Sequence, residues 1–384
     1  MLFTVMPLFV CLFWTAMLAL EMREDGNRRS RVHLFIFFLT AAVLYFGHCV
    51  FFNHSTSWMP LTDTLYCTAN LAVYPLYYVY ICSLTSRQKY YALSWVLLMP
   101  AAVLGSVVGL LYFLMSAAET EQFIVQYLYE GQREGLTGLA QMQVFFHDFC
   151  KFFFAMLLVP TFVYGRMRLR QYEKLVANFY ADTDDKSLVI IHRMLHAFVI
   201  TAFFSFILNI VGRQLFDESL WLLTIPSLLF SGLLFVVGYV GYRLKFSIQD
   251  IERDEQQADA VAPEQPAVRE LRQRIEQLMV EEKLFLKPNF KTVDLVKLLN
   301  TNRNYIYQAI NRDKGVTFTE YVNRMRIDYA IQLMIDHPEK QLSELAEESG
   351  FSSSTSFYRN FRQYKGTGPK EYKTKLSQAN NAAS

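Results

Sequence analysis

Seven long apolar runs separated by polar breaks occupy the first two thirds of the chain, at approximately residues 2–20, 32–52, 65–84, 90–115, 144–164, 189–211 and 220–242. Each is close to the roughly 20 residues a helix needs to cross about 30 Å of hydrocarbon, so the pattern predicts a seven-helix transmembrane bundle. The first run is followed by Arg23, Arg28, Arg29 and Arg31 and has no basic segment before it, which is the reverse of a signal peptide. It is therefore kept as a span. Beyond residue 266 the periodicity changes. Leu271, Ile275, Leu278 and Met279, then Leu295, Leu298 and Leu299, then Ile306 and Ile310 recur at helical spacing, which predicts short amphipathic helices of a soluble domain. No strand alternation of any length occurs, and the expected fold class is all-α.

The composition agrees with a chain solvated in part by lipid. Of the 384 residues 53% are hydrophobic and only 19% charged, against about 25% charged in an ordinary soluble domain. The net charge of +2 hides an asymmetry: residues 1–248 carry +2, 249–265 carry −5 and 266–384 carry +5. Lys and Arg also alternate between connections. Thirteen of them lie in the first, third and fifth connections and just after the last run, whereas the second, fourth and sixth connections hold only Arg133 and Arg213. Because cytoplasmic loops retain basic residues, this bias places the N-terminus outside and the C-terminus in the cytoplasm. All five cysteines fall in apolar runs without metal-ligand spacing in the sequence, so neither a disulfide framework nor a zinc site is expected.

Polar groups inside a bilayer are costly and demand a role. Asp148 and Lys151 are one helical turn apart in the fifth run, beside His147, and His48 and Asn70 fall at similar depth in the second and third. These five either tie the bundle together through an ion pair and hydrogen bonds, or line a pocket for a polar ligand arriving from outside; a metal or catalytic site ranks below both. The long fourth connection carries an apolar stretch at 123–129, suited to a lid, a surface helix or an irregular loop.

Residues 249–265 are acidic and nearly free of large apolar groups, which predicts a flexible tether with a span on the order of 25 Å. Residues 266–376 form the predicted soluble domain and 377–384 a disordered tail. Within the domain a pattern repeats. A short helix ending at 296–299, a turn at 300–302 and a second helix from Arg303 are followed later by a helix at 342–349, a turn at 350–353 and a helix from Ser354. Asn302 and Ser353 stand at the N-caps, and Ile306, Ile310, Phe357 and Phe361 form the buried faces, which describes two helix-turn-helix units. The outward faces present Arg303, Asn304, Tyr307, Gln308 and Asn311 in the first, and Ser354, Thr355, Tyr358, Arg359 and Arg362 in the second. Neither contains an acid, and these residue types hydrogen-bond base edges in a major groove. Arg312, Lys314, Arg324, Arg326, Arg362, Lys365 and Lys370 are candidates for DNA phosphates.

These residues carry a resemblance. Residues 300–334, NTNRNYIYQAINRDKGVTFTEYVNRMRIDYAIQLM, and 342–373, LSELAEESGFSSSTSFYRNFRQYKGTGPKEYK, resemble the DNA-binding domain of AraC/XylS-type transcription regulators. The second segment is the more specific, with Leu345, Ala346, Gly350, Phe351, Phe357, Arg359, Phe361, Gly366, Pro369 and Tyr372 at that family's spacing. The resemblance implies seven helices, two helix-turn-helix units joined by a long central helix, and recognition helices entering successive major grooves of double-stranded DNA. It implies Arg303, Asn304, Tyr307, Gln308, Ser354, Thr355 and Arg359 as reading residues, and RNA polymerase as a partner. The sequence departs from the pattern at Val296, where a small Ala is usual, at Lys365, where an apolar residue is common, and at Gly368, which replaces Thr or Ser.

A membrane bundle tethered to a DNA reader most economically makes a one-component sensor that answers a small-molecule or protein signal. Dimerisation through the 267–282 helix would bring paired half-sites within reach, although packing of its apolar face inside the domain is the preferred reading. Two other readings make the bundle an enzyme or transporter with a self-regulating DNA domain, or make the helix-turn-helix pair bind protein. No nucleophile-base arrangement or phosphate loop is present, so a non-enzyme without cofactor is expected.

Overall fold

The computed structural model describes residues 2–22, 28–87, 92–183, 186, 188–211, 222, 224–244, 247–259, 268–311 and 316–383. The described residues are helical, with one isolated antiparallel bridge between Tyr180 and Lys291 and no strand. They divide into two compact units. The first comprises 1–170 and 188–248, the second 171–187 and 249–384.

In the first unit, helices stand on all seven apolar runs: α1 (Leu2–Glu21), α2 (Arg28–Phe52), α3 (Met59–Thr85), α4 (Ala92–Leu114), α6 (Gly138–Phe179), α7 (Val189–Val211) and α8 (Thr224–Arg243). The expectation of seven spans is corrected in one respect. Among the described residues four stretches, in α2, α4, α6 and the segment beginning at Thr224, are long and apolar enough to cross a membrane. α3 carries Asp63, Asn70 and many hydroxyls, and it buries most of its side chains against neighbours, so it relies on protein rather than on lipid for part of its solvation. The apolar stretches of α1 and α7 that the structure describes are shorter than a full crossing.

Large apolar side chains point outward from this unit. Phe113 is 84% exposed, and Phe9, Trp95, Val159, Phe203, Ile225 and Leu229 are more than half exposed. Water does not tolerate so continuous an apolar exterior. Inward, helices approach closely where side chains are small: a Cβ on Gly238 would sit 2.3 Å from the Trp14 indole, so only glycine allows that crossing of α1 and α8. Between α4 and α6, Ser116 and Glu119 form a capping box that starts α5 (Ala117–Gln122), and a π-helical turn, Phe123–Tyr129, follows it. Phe123, Ile124 and Tyr127 are buried, so the fourth connection packs down on the bundle as an ordered cover.

The second unit holds α9 (Ile248–Asp259), then seven helices: α10 (Val268–Glu281), α11 (Thr292–Leu299), α12 (Arg303–Asn311), α13 (Phe318–Asp336), α14 (Leu342–Glu348), α15 (Ser354–Lys365) and α16 (Pro369–Ala383). One apolar core surrounds the first helix-turn-helix and another the second. α13 serves both, with Phe318 and Val322 in the first core and Ile327, Ala330 and Met334 in the second.

Two expectations change here, and one pair of alternatives is decided. The stretch predicted as a flexible tether is helical from Ile248 to Asp259, because Ile251 is buried and Asp254 accepts hydrogen bonds from Tyr180 (2.5 Å) and Lys291 (2.9 Å). Residues 260–267 lie outside the described residues. The tail predicted as disordered from 377 continues α16 to Ala383. The apolar face of α10, a candidate for pairing two copies, is spent inside the monomer, where Leu271, Ile275 and Met279 are buried in the first core.

Candidate nucleic-acid interface and polar cluster

Both helix-turn-helix units are built by local capping chemistry. α11 ends at Asn300, whose φ of 49° places it in the left-handed region, and the Asn302 side chain then accepts from the Tyr305 backbone N–H at 3.2 Å to start α12. In the second unit Gly350 has φ 82°, and Ser353 accepts from the Ser356 N–H at 3.2 Å to start α15. Ile306, Phe357 and Phe361 are fully buried, which turns the opposite faces outward. Tyr307 and Gln308 are exposed on α12, and Ser354, Thr355, Tyr358, Arg359 and Arg362 on α15. The side chains of Asn304 and Asn311, and all of Arg312 and Lys314, lie outside the described residues.

The phosphate candidates separate. Arg324, Arg362 and Lys370 are exposed, and Lys365 is half-buried with its ammonium 2.8 Å from Asp328. Arg326 is a correction: it is completely buried and cannot meet a phosphate. Its Nε donates to the Phe285 carbonyl at 2.6 Å, its Nη2 to the Lys287 carbonyl at 3.1 Å, and its Nη1 pairs with Asp182 at 2.9 Å. Burial pulls the guanidinium down from its ordinary range, and Asp182 opposes that shift.

Asp182 belongs to a segment that sequence reasoning treated as a loop. Residues 171–183 carry the end of α6 and the turn after it, and in the second unit they are knitted to the helix-turn-helix domain. The Ala181 N–H donates to the Phe290 carbonyl at 2.9 Å, the Asn289 N–H donates to Asp182 at 3.2 Å, and the hydroxyl of Thr319 donates to the carbonyls of Ala177 and Tyr180. The Arg303 guanidinium lies 3.4 Å from the centre of the Phe179 ring, so the first candidate reading residue is engaged by this tip. A usable signal was present: Leu175, Val176, Phe179 and Tyr180 continue an apolar helical stripe beyond the fifth run.

In the first unit Asp148 and Lys151 pair with each other, whereas His48 and His147 have other partners. Asp148 is 2.8 Å from Arg133 and 3.5 Å from Lys151, with the Tyr127 hydroxyl donating to it at 3.0 Å. His48 packs among the rings of Tyr45, Phe52 and Tyr66, and Asn70 is half-buried elsewhere on α3. His147 turns away from Asp148 toward Asp63, 2.6 Å from its carboxylate, and the Tyr112 hydroxyl donates to the same oxygen at 2.8 Å. Cys67 joins this pair, with its sulfur and the Asp63 and His147 donor atoms all within 4.8 Å of one another. All five cysteines are buried, and one of them stands in a potential ligand group that spacing along the chain does not reveal.

Residues 295–375 match the family model described as a helix-turn-helix domain. Among curated proteins the chain is 34% identical over 85 residues to the melibiose operon regulatory protein of Escherichia coli, and 33% over 84 residues to the TCP pilus virulence regulatory protein of Vibrio cholerae. It is 26% identical over 83 residues to the Msm operon regulatory protein of Streptococcus mutans. Each match takes in 22% of this chain and between 28% and 30% of the relative, so the chain spans under a third of the length of these relatives. No solved structure matches significantly. Geometry and family match together make the C-terminal part of the chain an AraC-type helix-turn-helix domain.

Proposed function

We propose that the protein is a membrane-bound one-component transcription regulator, in which a multi-pass bundle receives a signal and the C-terminal domain reads promoter DNA from the cytoplasm. The observation that carries this reading is α6. It has 42 residues and a length of about 63 Å, roughly twice the hydrocarbon thickness; its apolar part lies in the first unit, and its last residues, from Gln171, are part of the DNA-reading unit. One helix therefore offers a covalent route from ligand to operator.

The route ends on functional groups. Asp182 holds Arg326 on the central helix that serves both helix-turn-helix cores, and Phe179 holds Arg303 at the start of the first recognition helix. A shift of the α6 tip changes how the first recognition helix meets DNA. Tyr307, Gln308 and Arg359 read bases, while Arg324, Arg362 and Lys370 contact phosphates.

The test uses inner-membrane vesicles carrying the full-length chain, mixed with a pool of genomic duplex fragments. Sedimentation should retain a reproducible subset of sequences, with retention falling steeply as salt rises. Retention of no subset at any ionic strength, or a reporter fused after Ser384 that reports an external location, would overturn the proposal.

A further inference from the structure

Two helices of the first unit each bring a pair of metal-ligating side chains to one buried place. Asp63 and Cys67 are four residues apart on α3, and His147 and Cys150 three apart on α6, spacings that put each pair on a single helix face. Asp63, Cys67 and His147 bring their donor atoms within 4.8 Å of one another, and Cys150, one turn after His147, is buried in the same cluster as Cys67. All four residues are less than a tenth exposed.

We propose that Asp63, Cys67, His147 and Cys150 form a four-coordinate site for zinc or a zinc-like divalent ion. Two sulfurs, one imidazole nitrogen and one carboxylate oxygen constitute a borderline-soft tetrahedral donor set, which excludes magnesium and calcium by ligand type. The surroundings orient the donors as metal sites require. A carbonyl can only accept, so the 2.9 Å contact from His147 Nδ1 to the Gln143 carbonyl places a proton on Nδ1 and leaves Nε2 facing Asp63 and Cys67. The Tyr112 hydroxyl donates to the same Asp63 oxygen that faces His147.

The close approach of His147 Nε2 to Asp63, 2.6 Å, means that these two groups share one proton. A divalent ion displaces that proton and the two thiol protons, three in all, and leaves a site of net charge −1. Arg133 and Lys151, which flank Asp148 one residue along α6, supply positive charge nearby. The π-helical cover lies over the group, with the Phe123 ring 5.1 Å from that of His147. A helix-tying hydrogen bond between Asp63 and His147 would not need the Cys67 sulfur within 4.8 Å of both; a metal site does.

The full-length protein, purified in detergent and stripped with a chelator, is titrated with cobalt(II) alone. One equivalent should produce the visible bands of tetrahedral cobalt together with thiolate-to-metal charge-transfer absorption, both abolished by one equivalent of zinc. The Cys67→Ser/Cys150→Ser double variant should lose the charge-transfer band. A wild-type titration without that band, or a band that survives in the double variant, would overturn the proposal. Zinc-edge X-ray absorption of the wild-type chain needs no variant: two sulfur neighbours are expected, and fewer than two would sink it. The vesicle test above can fail without affecting any of these readings.

Discussion

Nη1 of Arg326 lies 2.9 Å from Oδ1 of Asp182, and both side chains are almost fully withdrawn from solvent. The pair joins the turn after α6 to the middle of α13, 144 residues later in the chain. Losing one partner of a buried pair leaves an uncompensated charge at a cost of about 3–5 kcal/mol. Asp182→Ala should therefore lower the thermal unfolding midpoint of the full-length protein by several degrees, as followed by helical circular dichroism. Arg326→Lys should do nearly as much, because an ammonium cannot reach the Phe285 and Lys287 carbonyls and Asp182 together.

Gly350→Ala should destabilise the second helix-turn-helix. The residue has φ 82°, and an added Cβ would meet the Leu286 backbone, with its carbonyl oxygen at 2.8 Å and its Cα at 2.9 Å. The left-handed conformation alone costs about 1–2 kcal/mol for a residue with a Cβ. Proteolysis at 342–365 in the native chain should accelerate accordingly. Unchanged cleavage would show that the turn can rearrange.

The two classes of DNA contact should separate in binding assays. Arg359→Ala should relax preference at one base pair by about 1–3 kcal/mol, whereas Lys370→Ala should weaken all sequences alike and lower the salt slope by about one unit. Competition titrations with operator variants at two salt concentrations read both quantities.

Phe179→Leu keeps most of the buried volume but removes the ring on which Arg303 rests. A cation–π contact of about 0.5–2 kcal/mol then no longer competes with DNA. The affinity of full-length vesicles for duplex should rise by up to about thirtyfold, with the rise absent in a Phe179→Leu/Arg303→Ala double variant. An affinity that stays level in the single variant would show that the stack is structural.

Local signals were legible in the sequence and long-range ones were not. The two helix-turn-helix units follow from apolar spacing and from the caps at Asn302 and Ser353, all of which act within a few residues. The positions of the seven apolar helices of the first unit are likewise written in composition. The roles of Arg326 and Asp182 could not be read this way: an arginine on a basic domain looks like a phosphate ligand until a carboxylate distant in the chain buries it. The stretch at 248–259 is polar enough to resemble a tether, and it is helical because Tyr180 and Lys291 hold Asp254. His147 was expected beside Asp148, its neighbour in sequence, but adjacent residues on a helix point about 100° apart, and its partner came from α3.

The length of α6 beyond Pro160 makes angular phase the quantity that this protein must conserve. Each residue inserted between Arg166 and Arg170 would turn the end of the helix by about 100° about its axis, whereas seven inserted residues restore the original azimuth to within about 20°. Natural relatives of this architecture should accordingly tolerate lengthening of the stalk in steps of whole turns, and laboratory insertions should alternate between silent and responsive with helical periodicity.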